Sequence, residues 1–380
     1  MQPSLQIHKN SLTHTTIALQ DCTVFCAMRR AGLHHGGAPA PTTTVARAGR
    51  VLRAAVAMFF HGYHCYTSVA GLLVLPFSAA VLASGAMASS TSSEALRAVS
   101  ARIRGMFHAA GFPPSSFFAL LNAKLSQTVF TFAAALPFTL TFLLLAKACV
   151  AAMLRPDADE GAQEARGGMV RRRAAARARL PPCASVAGAY PAVVATHLFG
   201  SFVMLSANAA VFSLLFLAFN GADLLGLTSH AATLALSAAG AIAYSVAVGI
   251  ATVVCNLAVV VAAMERRAGH AAVLRACVVI KGRVPTALAL ALPTNLGMAA
   301  AEALFQLRVV SRSQSQHRGG GAGWKLAPGV AGEAFSIAYI HALCVVLEII
   351  VSCMFYRSCR RSKADELREL EPEEKGDLQA

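Results

Sequence analysis

The chain has 380 residues, 56% of them hydrophobic and 13% charged, with a mean hydropathy of +0.57. Soluble domains carry about 25% charged residues, so this composition excludes an ordinary water-soluble globule and selects the membrane class. A net charge of +15 would fit a nucleic-acid partner in a soluble protein, but the arginines here lie between uncharged blocks, where they set orientation and meet anionic headgroups; no nucleic-acid partner is expected.

Residues 1–53 are polar and basic, with Lys9, Arg29, Arg30, Arg47, Arg50 and Arg53 against Asp21, and Gly36-Gly37 and Pro39–Pro41 oppose packing. They read as a disordered cytosolic tail; an organelle transit peptide is the other reading of such an acid-poor segment. Residues 54–356 read as the transmembrane helical domain, because a bilayer core about 30 Å thick needs about 20 apolar helical residues. The first span is Val69–Met87. The cluster His61-Gly62-Tyr63-His64-Cys65-Tyr66 before it suits the headgroup layer, and its His61, His64 and Cys65 could also reach one metal ion. In Ser92–Ala110 the residues Leu96, Val99, Ile103, Met106 and Phe107 recur at helical spacing among Arg97, Arg102 and Arg104. That pattern predicts an amphipathic helix lying on the membrane surface, with Gly111-Phe112-Pro113-Pro114 ending it.

The second span, Leu125–Ala146, is bracketed by Lys124 and Lys147, which suit snorkelling, and carries Pro137 as a kink point. Arg155–Pro182 is a linker that opens acidic and turns basic at Arg171, Arg172 and Arg173. The third span, about Thr196–Phe219, meets a tight turn at Asn220-Gly221-Ala222-Asp223. Leu224–Met264 then runs forty-one residues without Asp, Glu, Lys or Arg. The fourth span, about Ala239–Met264, should return as an antiparallel hairpin whose small residues allow close backbone approach. A basic elbow follows from Glu265-Arg266-Arg267 to Lys281-Gly282-Arg283. The fifth span, Val284–Ala301, is short and broken at Pro293-Thr294-Asn295-Leu296-Gly297, with Glu302 closing it. The sixth, Phe335–Tyr356, carries Glu348 mid-span and is stopped by Arg357, Arg360, Arg361 and Lys363; residues 357–380 read as a charged, disordered cytosolic tail. The expected fold is therefore all-α, a polytopic transmembrane bundle of about six spans with an interfacial helix and disordered termini.

Six spans place both termini on one side. The first tail, the 155–179 linker, the 266–283 elbow and the last tail hold six, seven, five and six of the 33 Lys and Arg residues. The connections on the other side hold four, none and four, and Lys147 is the remainder. This asymmetry predicts cytosolic termini in a plasma membrane or endomembrane, an organelle membrane being the alternative. No cysteine lies in the three outer connections, so no structural disulfide is expected; Cys359 beside a basic run reads as a reduced thiol or a palmitoylation site.

Ionisable and polar groups inside a span are the candidate site: Asn295, Glu302 and Glu348, lining a polar cavity if the chain moves a small solute or ion. Arg171, Arg172, Arg173, Arg266 and Arg267 are the candidate contacts for anionic lipid headgroups. No G-x-S-x-G, H-E-x-x-H or G-x-x-x-x-G-K-[ST] occurs, so no enzyme activity, cofactor or metal is expected. The partners expected are the bilayer itself, anionic lipid, and a second copy or another membrane protein.

The segment from Met264 through Glu265, Gly269, Ala272, Arg275 and Ala276 to Arg283 resembles the E-x-x-x-G-x-x-A-x-x-R-[SA] signature of a group of uncharacterised plant multi-pass membrane proteins. More faintly it is similar to the membrane domain joined to some bacterial glycerophosphodiester phosphodiesterases, without their catalytic barrel, so that activity is not implied. The resemblance implies a membrane bundle over residues 51–357 and no chemistry. Glu265 is placed to pair with Arg267 and Arg275 or with backbone near Gly269, while Ala272, Ala276 and Val279 would press a short helix onto the bundle. Two functional readings stand: a non-catalytic component that organises a membrane, and a transporter or channel for a small solute or ion.

Overall fold

A computed structural model of the chain describes residues 41–89, 94–109, 116–155, 183–226, 229–312 and 328–377. Every regular element among the described residues is helical. In chain order these are α1 (Pro41–His61), α2 (Tyr63–Val69), α3 (Leu75–Ser89), α4 (Glu94–Ala109), α5 (Ser116–Phe138), α6 (Leu144–Leu154), α7 (Cys183–Leu224), α8 (His230–Glu265), α9 (His270–Ile280), α10 (Val284–Phe305) and α11 (Pro328–Asp377). Single π-helical turns, Ala70–Val74 and Thr139–Leu143, join α2 to α3 and α5 to α6, and a third, Gln306–Val310, extends α10.

Among the described residues six helices are long and apolar enough to cross a membrane: Tyr63–Met87, Leu125–Leu154, Ser185–Ala222, Ala235–Glu265, Val284–Val310 and Gly329–Ser362. Their outward faces are apolar, with Leu72, Leu205, Leu217, Leu296 and Leu307 all exposed. Soluble monomers do not present such surfaces at this density.

Each span overruns the stretch that hydropathy marks. Helix α1 covers 41–53, where a tail was expected; Ala48, Val51 and Ala55 are buried at i, i+3 and i+7, an apolar stripe that the arginines between them mask. It opens on Pro41, whose fixed φ suits a first turn. The last tail is likewise helical to Asp377, because Ala, Leu, Glu, Lys and Arg propagate a helix already nucleated by the span. The tight turn expected at Asn220–Asp223 is helix; the chain turns instead at Gly226, at φ +69°. Lys147 does not end the second span but sits buried within it. The fifth span is neither short nor broken: α10 runs through Pro293 without interruption. Proline removes one backbone bond, and hydrocarbon makes surrender of the remaining ladder too costly. Residues 1–40, Ser92, Ser93, Gly111–Pro114 and Arg171–Arg173 lie outside the described residues.

The chain forms two compact units. Of the described residues, the first holds those within 41–57, 183–292 and 350–377, and the second those within 58–155 and 293–349. In the first unit α7 and α8 form the expected hairpin. Tyr244 donates to Asn208 Oδ1 across it at 2.9 Å, and the Cys255 thiol reaches Gly200 O at 3.6 Å. Leu257 to Ala263 of α8 are all buried, so these two turns of the helix are surrounded on every side.

In the second unit α3 packs on α5, and the amphipathic α4 lies along α5 as well. Asn122 donates to Ser100 at 2.9 Å, holding α4 in place. Leu82, Ala301, Phe305, Val309, Val330, Ile337 and Ala338 form a common core among α3, α10 and α11. At the start of the first span Phe59 stacks on Tyr66 with ring centroids 6.0 Å apart.

The hairpin gives a paired test. A Cβ at Gly200 would stand 3.5 Å from the Cys255 side chain, whereas Gly249 has nothing within 4 Å. Gly200→Leu should destabilise the purified protein by about 1–3 kcal/mol through overpacking, and Gly249→Leu by less than about 0.5 kcal/mol, read as thermal unfolding in detergent.

Candidate functional site

Two polar clusters stand out, one in each unit. In the first unit the chain leaves α8 at Glu265 and makes a sharp reversal before α9. Arg266 takes a left-handed conformation at φ 55°, and Gly269 has φ +62° with ψ −130°, a region open to glycine alone. The Gly269 N–H donates to Thr196 Oγ1 at 2.9 Å. Thr196 is fully buried on α7, and its own hydroxyl donates a hydrogen bond to Ala192 O at 2.7 Å. The reversal is thus pinned to α7 by one buried hydroxyl.

Glu265 is the centre of this elbow. Its carboxylate accepts a hydrogen bond from the buried Tyr356 hydroxyl of α11 and faces Arg267 Nε at 3.5 Å and Arg275 Nε at 3.7 Å. The Glu265 side chain is 16% exposed, while Arg267 and Arg275 are 62% and 42% exposed, so the carboxylate is largely inside and the cations keep contact with solvent. Below it α9 presses Ala272, Val273, Ala276, Val279 and Ile280 into the unit, as the small-residue spacing predicts. At its far end Gly282 turns at φ +78°, and Arg283 Nη2 donates to Ser362 Oγ at 2.7 Å. One carboxylate and two terminal contacts therefore join α7, α8, α9 and α11.

The opposite face of α9 is open. Arg267, His270, Ala271, Leu274, Arg275 and Val278 line a shallow groove there. Arg266 is exposed, and its guanidinium lies over Gly188 of α7.

In the second unit three spans contribute polar groups to one point. His341, 3% exposed on α11, has Nδ1 2.9 Å from Ser78 Oγ of α3 and Nε2 3.9 Å from Glu302 Oε1 of α10. The Glu302 side chain is 54% exposed. Glu302 was singled out from the sequence; its partners were not. His341 gives no local signal, because one imidazole in so long an apolar run leaves the span's mean hydropathy high and it carries no fixed charge. Asn295 lies on an exposed face of α10 beside Leu292 and Leu296, and Glu348 is half-buried on α11. At the elbow, Tyr356 is the member that sequence reasoning missed, since only the fold brings α11 to Glu265.

A family model described as Domain of unknown function (DUF8558) matches residues 184–370, a stretch that contains α7 to α10 and the elbow. Comparison with curated proteins and with solved structures returned no match.

Two substitutions test the clamp. Tyr356→Phe should cost about 1.5–3 kcal/mol, the range for a hydrogen bond to a charged group. Gly269→Ala should cost about 1–3 kcal/mol although a Cβ there meets nothing within 4 Å, because the penalty lies in the backbone alone. Both are read as loss of thermal stability, with Gly221→Ala, a helical site with equal space, as the neutral control.

Proposed function

We propose that the chain is a non-catalytic integral membrane component that organises its membrane through the basic elbow, with both termini in the cytosol. The carrying observation is the division of labour in residues 265–283. Glu265 fixes the fold of the elbow from inside, while Arg266, Arg267 and Lys281 remain exposed on its outer side. Cations beside span ends attract an anionic leaflet by about 1 kcal/mol each. The positive-inside asymmetry supports a cytosolic elbow in a plasma membrane or endomembrane. The resemblance of this segment to uncharacterised plant membrane proteins supports the same reading. The exposed Leu292, Asn295 and Leu296 of α10 favour a second copy or another membrane protein as partner, since an amide in lipid gains by finding one.

A second reading, a small-solute or ion transporter, is favoured by the Ser78–His341–Glu302 cluster, because ionisable groups in a span commonly mark an ion or proton path.

The full chain reconstituted in phosphatidylcholine vesicles with added phosphatidylserine separates the two. The organising role expects spin-labelled phosphatidylserine to be held at the protein in preference to phosphatidylcholine. Arg266→Glu with Arg267→Glu should reduce that preference, and no flux should be seen across a panel of ions and metabolites. Flux that is lost in Glu302→Gln or His341→Ala, with no lipid preference, would establish the transporter in its place.

A further inference from the structure

The groove on α9 has a composition of its own. Its residues lie on one helix face, His270, Leu274 and Val278 at four-residue steps and Ala271 and Arg275 beside them. At 1.5 Å per residue, His270 to Val278 covers about 12 Å. The inner face of the same helix is buried, so Leu274 at 41% and Val278 at 51% exposure are apolar side chains that the chain itself does not cover. Cations flank one end. Glu265 faces Arg267 Nε at 3.5 Å and Arg275 Nε at 3.7 Å, and the two arginine side chains are still 62% and 42% exposed, so both can reach a ligand. At these separations the carboxylate gathers the two cations by charge, and a guanidinium recognises phosphate through its paired N–H groups.

We propose that this groove binds one anionic phospholipid. Its phosphate lies between the Nη edges of Arg267 and Arg275, with His270 as a further donor, and one acyl chain runs along Leu274 and Val278. The chemistry selects an amphiphile. A free phosphate would use the cationic end and leave the two apolar side chains in water, and a zwitterionic lipid would bring a choline cation against two arginines. Glu265 is then a positioning residue: it draws the two cations to one end of the groove and does not touch the lipid. This deepens the organising role proposed above and rests on it for placing α9 at the headgroup layer.

The test uses the purified full chain in detergent, titrated with dioctanoyl phosphatidate, dioctanoyl phosphatidylcholine and inorganic phosphate, with binding read by native mass spectrometry and by thermal shift. One phosphatidate should be retained per chain, at about tenfold lower concentration than phosphatidylcholine. Arg267→Gln with Arg275→Gln should abolish that difference. Because those arginines also hold Glu265, two variants outside the clamp accompany them. His270→Gln should weaken phosphatidate binding severalfold, and Leu274→Ser should weaken phosphatidate but leave any response to inorganic phosphate unchanged. Equal retention of phosphatidate and phosphatidylcholine overturns the site. So does inorganic phosphate competing one for one, or indifference to Leu274→Ser. Loss of the single site with the phosphatidylserine preference in vesicles intact removes this inference alone; loss of both removes the organising role as well.

Discussion

Hydrocarbon offers no partner to a free N–H or C=O, and the architecture of this chain follows from that constraint. A backbone entering lipid has to bond within its own segment, so every crossing is a helix and no helix stops short of the interface. This explains why α10 passes Pro293 intact and why α5 enters a π turn two residues after Pro137 without ending. Hydroxyls bond back to carbonyls beside the π turn: Thr141 donates to Pro137 O at 2.7 Å and Thr139 to Ala135 O at 2.9 Å. The same back-bonding recurs at Ser201, Ser245 and Thr252, each to the carbonyl four residues earlier.

Once helices are obligatory, the connections decide what the protein presents to water. The elbow after α8 is the most tightly specified of those described. It reverses at two backbone positions with positive φ, is held to α7 through Thr196, and is closed by a carboxylate shared among Tyr356, Arg267 and Arg275. A single acidic residue among five basic ones, between 265 and 283, acts from the inside: it orders the arginines and leaves the outer surface cationic. The counterpart in the second unit lies within the spans. There His341 is buried against Ser78 with Glu302 nearby, a polar contact among three helices in surroundings that favour its formation.

How much of this the sequence carries depends on the range of the interaction. The number of spans and the position of the elbow are local properties, written in uncharged runs and in basic residues, and they were legible. So was the pairing of Glu265 with Arg267 and Arg275, because a lone carboxylate among close basic neighbours at a short elbow has few other partners. Helix ends were not. Hydropathy registers the lipid-facing core, whereas Ala48, Val51 and Ala55, or the Leu- and Glu-rich run after Arg357, extend helices by packing and propensity. Asn220-Gly221 has turn composition yet lies in helix, since a helix in progress tolerates both residues more cheaply than hydrocarbon tolerates a break. Tyr356 and Ser78 acquire their roles only through contacts across the fold, and nothing in their local sequence signals those partners.

Sidedness is the claim on which the reading of the elbow, the basic linker and both tails depends. The chain contains no N-x-[ST] sequon, so a glycosylation scan begins from a clean background. Acceptor sites inserted singly at 110–115, 225–229 and 313–327 should be glycosylated when the protein is made in microsomes, and sites at 156–182, within 266–283 and after 377 should not. Glycosylation at the elbow, or at only one of the two termini, would contradict six crossings with a cytosolic basic face.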